Sequence, residues 1–473
     1  MTIFVAFDVG AESGRAVVGT LADGLLDLEE VHRFANDGVV LPTGLYWNSF
    51  GIFREIVRGL GICSTRSREV PAGIAVDTWG VDFALLANDG AVIEHPRHYR
   101  DSRNQGMLVK LSARIPREEI FRQTGIQFLD INTLCQLYAL RLAGAPALEI
   151  ASKLLFMPDL FSYWLTGKIR SELTIASTSQ FYNPREKCWA AELLEGIGIS
   201  AALPAEIVQP GTLLGPLLPK LAVACGMPAG APVFATASHD TASAVAAVPA
   251  TGDDWCYISS GTWSLMGVEV SEPVITERAR QLNFTNEAGA GGRVRLLKNI
   301  AGLWLLQECR REWARAGHDY SYEQLTQLAA EADSCGTILD PDHFSEPGGM
   351  PRQIAQYCER TGQQTPAEPG QMCRAILESL AQSYARVLRN LEELTGRRLN
   401  VIHIVGGGSR NELLNQMTAD ATGRTVIAGP VEATAAGNIL VQAIGAGVLS
   451  SLEEARDVVR RSFPLRTYRV RTI

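Results

Sequence analysis

The decapeptide TASHDTASAV, residues 236–245, sets a titratable pair, His239 and Asp240, in front of a run of small residues. An aspartate in that place has two uses. Its carboxylate can cap the first free amides of a helix, or it can take the proton from a substrate hydroxyl as the oxygen attacks. The uses are compatible, because a helix N-terminus favours the ionised carboxylate.

A second chemical pattern lies at the start of the chain, where Asp8 closes an apolar run and Gly10, Ser13, Gly14 and Arg15 follow. A glycine-bearing turn with a hydroxyl and a fixed guanidinium charge can hold a polyphosphate. Asp8 at the strand end can bind the accompanying Mg²⁺, directly or through water. An ordinary hairpin turn is the plain alternative. SSGTWS, residues 259–264, repeats the pattern, and two such turns could grip one phosphate chain from both sides. A third Gly-rich turn, GGGSRNELL at 406–414, either exposes amides to a nucleotide phosphate or lets a helix pack closely on a strand. No GxxxxGK[ST] is present, since Gly167-Lys168 lacks the preceding glycine, so a P-loop is disfavoured. The HRD and DFG set of protein kinases is missing too. His95 and His98 have a metal-like spacing, but no carboxylate or cysteine cluster completes a site, and a solvated loop is expected there. Trp164 and Trp304 read as core anchors of helices.

These residues need rigid elements under them. IFVAFDVGAESGRAVVGTL and WCYISSGTWSLMGVEV each predict a β-hairpin, half a chain apart, which points to an internal duplication. VPAGIAVDTWGVDFALL and LNVIHIVGGGSRNELLNQ each place a buried strand before a Gly-bearing loop. Amphipathic stretches such as AILESLAQSYARVLRNLEEL alternate with the strands, so the fold class is α/β. EELTGRRL predicts a helix end with a glycine cap and a basic last turn. At 473 residues two domains are expected, and VPATGDDW, behind a helix opening at Asp240, predicts a boundary giving domains 1–248 and 249–473.

The formal net charge of −8 argues against a nucleic-acid partner, which needs a basic surface. No basic n-region precedes the first apolar run, and no uninterrupted apolar segment is long enough to span a bilayer, so a cytoplasmic protein with no membrane partner is expected. The nine cysteines lack any CxxC pair and are expected to be reduced, with Cys358 and Cys373 the one pair worth checking.

Taken in order, DVGAESGR, DTWGVDF, YRDSR, TGIQFLDINTL, MPDLFSYWLTGK, ASHDTASAV, SSGTWSLMG, LKNIAGLWLLQ and HIVGGGSRNELLNQ resemble the FGGY family of carbohydrate kinases, over Ile3 to about Gly437. The resemblance implies two actin-like, ribonuclease-H-like domains with a catalytic cleft between them, the first for sugar and catalysis, the second for nucleotide. It implies transfer of the ATP γ-phosphate to the 1-hydroxyl of a ketose, L-rhamnulose in the nearest match, with Mg²⁺ as cofactor. It makes Asp240 the base and puts Gly80, His239, Asp240, Thr241 and Asn299 on the sugar. It puts Ala11, Glu12, Ser13, Gly14, Arg15, Thr262, Gln307 and Gly407 on ATP, and Asp8 on the metal. Some ketose kinases of the family carry Trp where YRDSR has Tyr99 or Arg100, which weakens the case for Arg100, Asp101 and Arg103 as direct ligands. Kinases of another ketose or polyol, such as L-fuculose or L-xylulose, and a non-catalytic actin-like ATP switch remain alternatives. A monomer or homodimer is expected.

Overall fold

The computed structural model describes residues 1–66, 69–344 and 348–471. In chain order the first elements used below are β1 (Thr2–Val9), β2 (Ser13–Ala22), β3 (Leu25–Ala35), α1 (Ser49–Arg66), β4 (Gly73–Thr78), α2 (Thr133–Leu142) and α3 (Leu173–Ala176). Then come β5 (Thr212–Pro216), β6 (Pro232–Ala235), α4 (Asp240–Ala246), β7 (Trp255–Ser260), β8 (Ser264–Val270), β9 (Thr285–Ala288) and β10 (Val294–Ile300). The last are α5 (Trp304–Arg315), α6 (Pro369–Thr395), β11 (Val401–Val405), α7 (Glu412–Thr422), β12 (Thr425–Ala428), α8 (Ala433–Gly445) and β13 (Arg466–Tyr468).

The chain forms two compact units. The first holds Met1–Pro249, Glu269–Leu296 and Ala433–Ser462, and the second holds Ala250–Val268, Leu297–Glu432 and Phe463–Ile473. Residues 269–296 and 433–462 lie beyond the 248/249 boundary read from the sequence yet belong to the first unit.

The first unit is built on a six-stranded sheet ordered β5-β6-β4-β1-β2-β3. β1 and β2 form the expected hairpin, with Asp8 opposite Arg15. β4 lies parallel to β1, with Asp77 beside Asp8, and β6 parallel to β4. β4 (GIAVDT) is buried at every position, as a central parallel strand covered on both faces must be. On one face Ile52, Ile56 and Leu60 of α1 pack against Val5, Phe7, Ile74 and Val76. α8 covers β1 and β4 as well. Its small residues let it come very close to α4: a Cβ on Gly437 would sit 1.7 Å from the Ser243 carbonyl oxygen.

The second unit repeats this connectivity. Its strands run β10-β8-β7-β11-β12-β13, with β7 and β8 an antiparallel hairpin, β11 parallel to β7 and β12 parallel to β11. In both units a hairpin's first strand therefore receives a parallel strand on its other edge, and that strand a second parallel one. α6 ends at a left-handed Gly396 (φ 65°) as expected, but its last turn carries no basic residue, because Arg397 and Arg398 follow the cap.

Candidate active site

The turn between β1 and β2 is fixed from within. The Gly10 amide donates to the Ser13 carbonyl (2.9 Å), and the buried Asn36 closes the turn, its backbone amide donating to the Glu12 carbonyl (3.0 Å) and its Nδ2 to the Gly10 carbonyl (2.7 Å). Arg15 does not point freely outward. Its Nε and Nη2 both donate to Asp8 Oδ2, at 3.0 and 2.7 Å, in a largely buried pair. Gly14 owes its identity to packing rather than to turn geometry, since it has no positive φ and a Cβ there would lie 2.2 Å from the Phe34 ring.

Asp240 is not the cap of its helix. His239 occupies that position without a side-chain capping bond, and Asp240 is the first helical residue. Its Oδ1 accepts from Thr241 Oγ1 (3.1 Å), and 30% of its side chain is exposed. Its carboxyl is not held low by the helix end, as the sequence reading expected. Burial pushes it up, the nearby His239 pulls it down and the Asp8 charge pushes up again, with a net rise.

His239 is the centre of a buried polar cluster. Its Nε2 stands 3.5 Å from Asp240 Oδ1, and its Nδ1 3.3 Å from Glu287 Oε2 on β9. Arg295, wholly buried on β10, brings Nη2 to 3.2 Å from the same Nδ1 and 3.1 Å from Glu287 Oε2, while its Nε donates to the Ala288 carbonyl. Burial alone would raise the Glu287 carboxyl, but His239 and Arg295 together outweigh it and hold it low. Gly80 belongs to the same corner: a Cβ on it would lie 3.4 Å from His239 Nε2 and 3.3 Å from Thr178 Cγ2. The next residue, Val81, has φ 68°, a conformation costly for a β-branched side chain. Hydrogen bonds on both sides impose it, the amide donating to Thr178 Oγ1 (3.2 Å) and the carbonyl accepting from Thr133 Oγ1 of α2 (2.7 Å).

Segment 171–179 braces this corner, and the sequence reading missed it. Glu172 Oε2 accepts the Ser238 amide (3.0 Å), and Thr174 Oγ1 accepts the His239 amide (3.1 Å), so the two amides before Asp240 are both held at α3. Ser177 Oγ accepts the Ala288 amide (2.9 Å), fixing the strand that carries Glu287. Burial pushes the Glu172 carboxyl up to about 7 against four hydrogen bonds that favour its ionised form. Asp77, at the end of β4, is fully buried. Burial and then the Asp8 charge drive its carboxyl well above the usual range, Asn438 of α8 donates to Oδ2 at 2.5 Å, and Oδ1 has no partner.

In the second unit the β7–β8 turn and the start of α5 are one construction. The Gly261 and Thr262 carbonyls accept the Leu303 and Trp304 amides, both at 3.1 Å. Gln307 follows one turn along that helix, and its Oε1 is buried with no partner. The glycine triplet divides its duties. A Cβ on Gly408 would strike Ser260 Oγ at 2.0 Å, Gly406 has φ 84° and lies against the Ser260 carbonyl, and Gly407 alone faces open space. Thr262, Gln307 and Gly407 thus gather around one hairpin end. Asn299 stands on β10 in this unit, half-buried.

The family comparisons coincide with this geometry. The N-terminal domain of the FGGY family of carbohydrate kinases matches residues 3–247 and its C-terminal domain residues 256–446. The chain belongs to the FGGY family of carbohydrate kinases. A rhamnulokinase of Bacteroides thetaiotaomicron is 46% identical over 98% of this chain and 95% of that protein, and one of Bacillus subtilis 39% over 98% and 95%. Among solved structures, a ligand-bound xylulose kinase from Lactobacillus acidophilus superposes with a TM-score of 0.82 at 16% identity, covering 100% of this chain and 94% of that one. Plasmodium falciparum glycerol kinase with ADP gives 0.80 at 13%, covering 100% and 95%. These likenesses establish the two-domain, actin-like α/β fold. Membership in the FGGY family makes a small-molecule sugar and ATP the substrate classes.

In this FGGY kinase the YRDSR segment is a structural knot. Asp82 Oδ2 accepts from Trp47 Nε1 (2.6 Å), Trp79 Nε1 (3.0 Å) and the Tyr99 amide (3.1 Å), and Oδ1 from Gln136 (2.8 Å). The expected solvated loop around His95 and His98 is not found. His98 is buried, stacked on Trp47 at 4.0 Å, and burial lowers it to about 3, so it is neutral. His95 bonds Ser49 Oγ at 3.2 Å. Asp101 is buried and accepts the Leu45 and Arg103 amides, so its carboxylate holds loops together. Trp164 packs on the first unit's core, and Trp304 is buried. Among the described residues no group of three or more His, Cys, Asp or Glu is placed to hold a metal, and no helix is long and apolar enough to cross a membrane. All nine cysteines are free, Cys358 and Cys373 among the buried ones.

Proposed function

We propose that the protein transfers the γ-phosphoryl group of ATP to the 1-hydroxyl of L-rhamnulose, giving L-rhamnulose 1-phosphate and ADP in L-rhamnose catabolism. Similarity to rhamnulokinases, 39–46% identical over nearly the full length, supports this choice of sugar. The observation that carries the chemistry is Asp240: a partly exposed carboxylate beside His239 and Thr241 that does no capping work. As the sugar O1 bonds to the γ-phosphorus and the bond to the ADP oxygen breaks, Asp240 accepts the O1 proton. A weak base suffices, because the transition state is loose and the proton leaves late. Gly80 keeps the backbone flush beside the ring of His239, and His239, Thr241 and Asn299 orient the sugar. Ala11, Glu12, Ser13 and Gly14 with Arg15, and Thr262, Gln307 and Gly407, bind ATP. We assign residues 1–248 chiefly to sugar binding and catalysis and 249–473 chiefly to the nucleotide, with Ala11 to Arg15 of the first part also on ATP and Asn299 of the second also on the sugar.

Asp8 fits a Mg²⁺ ion of the kind bound with nucleotides, which takes one or two carboxylates and otherwise phosphate and water. Its Oδ2 is engaged by Arg15, and beside it in register lies Asp77 with an orphaned Oδ1. Such an ion would neutralise charge on the β- and γ-phosphates. We place the enzyme in the cytoplasm as a monomer or homodimer.

The test is ADP release with Mg²⁺-ATP and L-rhamnulose, L-fuculose, L- and D-xylulose, L-ribulose, glycerol or no sugar. Preference for L-rhamnulose bears the reading out. Preference for another sugar overturns the substrate, and turnover indifferent to sugar favours an ATP switch.

A further inference from the structure

We infer that Arg295, held by Glu287, is a positioning residue that fixes His239 with its hydrogen on Nε2 and its lone pair on Nδ1, so that the ring donates into the sugar site and leaves proton acceptance to Asp240. The inference rests on the sugar-binding reading of His239. A neutral imidazole carries one hydrogen, and which nitrogen bears it is set by what the other nitrogen faces. Nδ1 faces Arg295 Nη2 at 3.2 Å and Glu287 Oε2 at 3.3 Å. A guanidinium can only donate, so it bonds Nδ1 only if that nitrogen offers a lone pair. Glu287 Oε2 is itself satisfied by Nη2 at 3.1 Å and needs no hydrogen from the ring.

The opposite nitrogen agrees. Nε2 stands 3.5 Å from the Asp240 carboxylate. A bare Nε2 would set a lone pair against that carboxylate, whereas an Nε2–H is attracted to it. The reverse tautomer would exchange the Arg295 bond at Nδ1 for a longer one to Glu287 Oε2 at 3.3 Å, leave Arg295 Nη2 facing another donor, and oppose two acceptors at Nε2, so it is the poorer arrangement. Arg295 is wholly buried and Glu287 nearly so, and the pair cancels its own charge. This explains why an expensive buried ion pair stands behind a single histidine. It also separates the duties of neighbours: His239 cannot take the sugar proton while Nε2 already carries one, so the role falls to Asp240.

The decisive measurement is ¹⁵N–¹H long-range correlation spectroscopy on the full-length protein labelled at histidine, near pH 8, with the His239 signals assigned through His239→Asn. A hydrogen-bearing Nε2 and a bare Nδ1 are expected. A hydrogen on Nδ1 overturns the inference. Arg295→Met should move the hydrogen to Nδ1, where Glu287 accepts it, and raise the KM for the sugar about tenfold, the worth of one such hydrogen bond, with the KM for ATP within about twofold. Arg295→Lys, which keeps a donor, should recover part of that loss. An unmoved hydrogen in Arg295→Met also overturns the inference. The wild-type spectrum needs no turnover, so it reads the tautomer even if the sugar proves to be another one, and it stands should Arg295→Met fail to fold.

Discussion

Replacing Asp240 by Asn separates catalysis from architecture, because the carboxylate has almost no structural duty. It caps no helix, and its hydrogen bond from Thr241 Oγ1 at 3.1 Å can be accepted equally by the Asn carbonyl oxygen. Asn has the same shape, and it removes a charge whose burial is unfavourable. The folded protein should therefore change in stability by no more than about 0.5 kcal/mol, as at sites with no structural feature to lose. Turnover should fall by about 10²–10⁴, the usual worth of a positioned general base, or about 3–5 kcal/mol in the barrier. The assay is coupled ADP release at saturating ATP and L-rhamnulose, with calorimetric binding of each ligand, which should stay within about threefold since Asn still fills the place. Since burial raises the Asp240 carboxyl, the wild-type rate should fall with decreasing pH through a point above the ordinary aspartate value. A kcat within about threefold of wild type would refute the base assignment. A loss of several degrees in Tm would refute the claim that the carboxylate is structurally idle.

Glu172 gives a stability test with a defined sign. Its folded value of about 7 lies above its ordinary 4.5, so its contribution is fully present below about 4.5 and is lost as pH rises to about 7. The difference is about 3 kcal/mol. Glu172→Gln cannot ionise, so wild-type Tm should fall relative to the variant between pH 5 and 7.5, and parallel Tm curves would sink the idea. Gly407→Ala and Gly408→Ala should part company. In Gly408→Ala the new methyl meets Ser260 Oγ at 2.0 Å and should cost about 1–3 kcal/mol of stability. In Gly407→Ala the methyl enters open space, so Tm should be unchanged while the KM for ATP rises. Equal Tm losses in the two would show that the triplet serves packing alone.

The hairpins, the buried parallel strands and the order of motifs were legible because they are local: alternation, glycine and hydroxyl recur within ten residues. What escaped reading was set by distant partners. Gly14 looked like a turn glycine, yet its reason is the Phe34 ring twenty residues on, across β2 and β3. Glu172 and Thr174 sit in a stretch with no telling period, and their work on the Ser238 and His239 amides exists only in the fold. Glu287 did leave a trace. Thr285, Asn286 and Glu287 are three polar residues in a fully buried strand, a pattern that signals a polar network. The close approach of α8 to α4 at Gly437 and Ser243 likewise joins segments nearly two hundred residues apart and was not read from the sequence.

Asp8 and Asp77 on neighbouring strands and Asp240 at a helix start lie within electrostatic reach, and mutual repulsion pushes the carboxyls of Asp77 and Asp240 upward. The structure answers each differently. Asp8 lies against the two donors of Arg15. At Asp77 burial and the Asp8 charge push the carboxyl upward, and Asn438 supplies a neutral partner. Asp240 is the most exposed of the three, tuned upward by burial and steadied by His239. A carboxyl sealed from solvent cannot reach a substrate, and one gripped by a guanidinium is a poor base but a fit anchor for a cation. Only the third can work as a base, and only while the ring beside it does not compete for the same proton. Three identical side chains are thereby set in three different surroundings by their neighbours, and the role proposed for Asp240 follows from that contrast as much as from its own position.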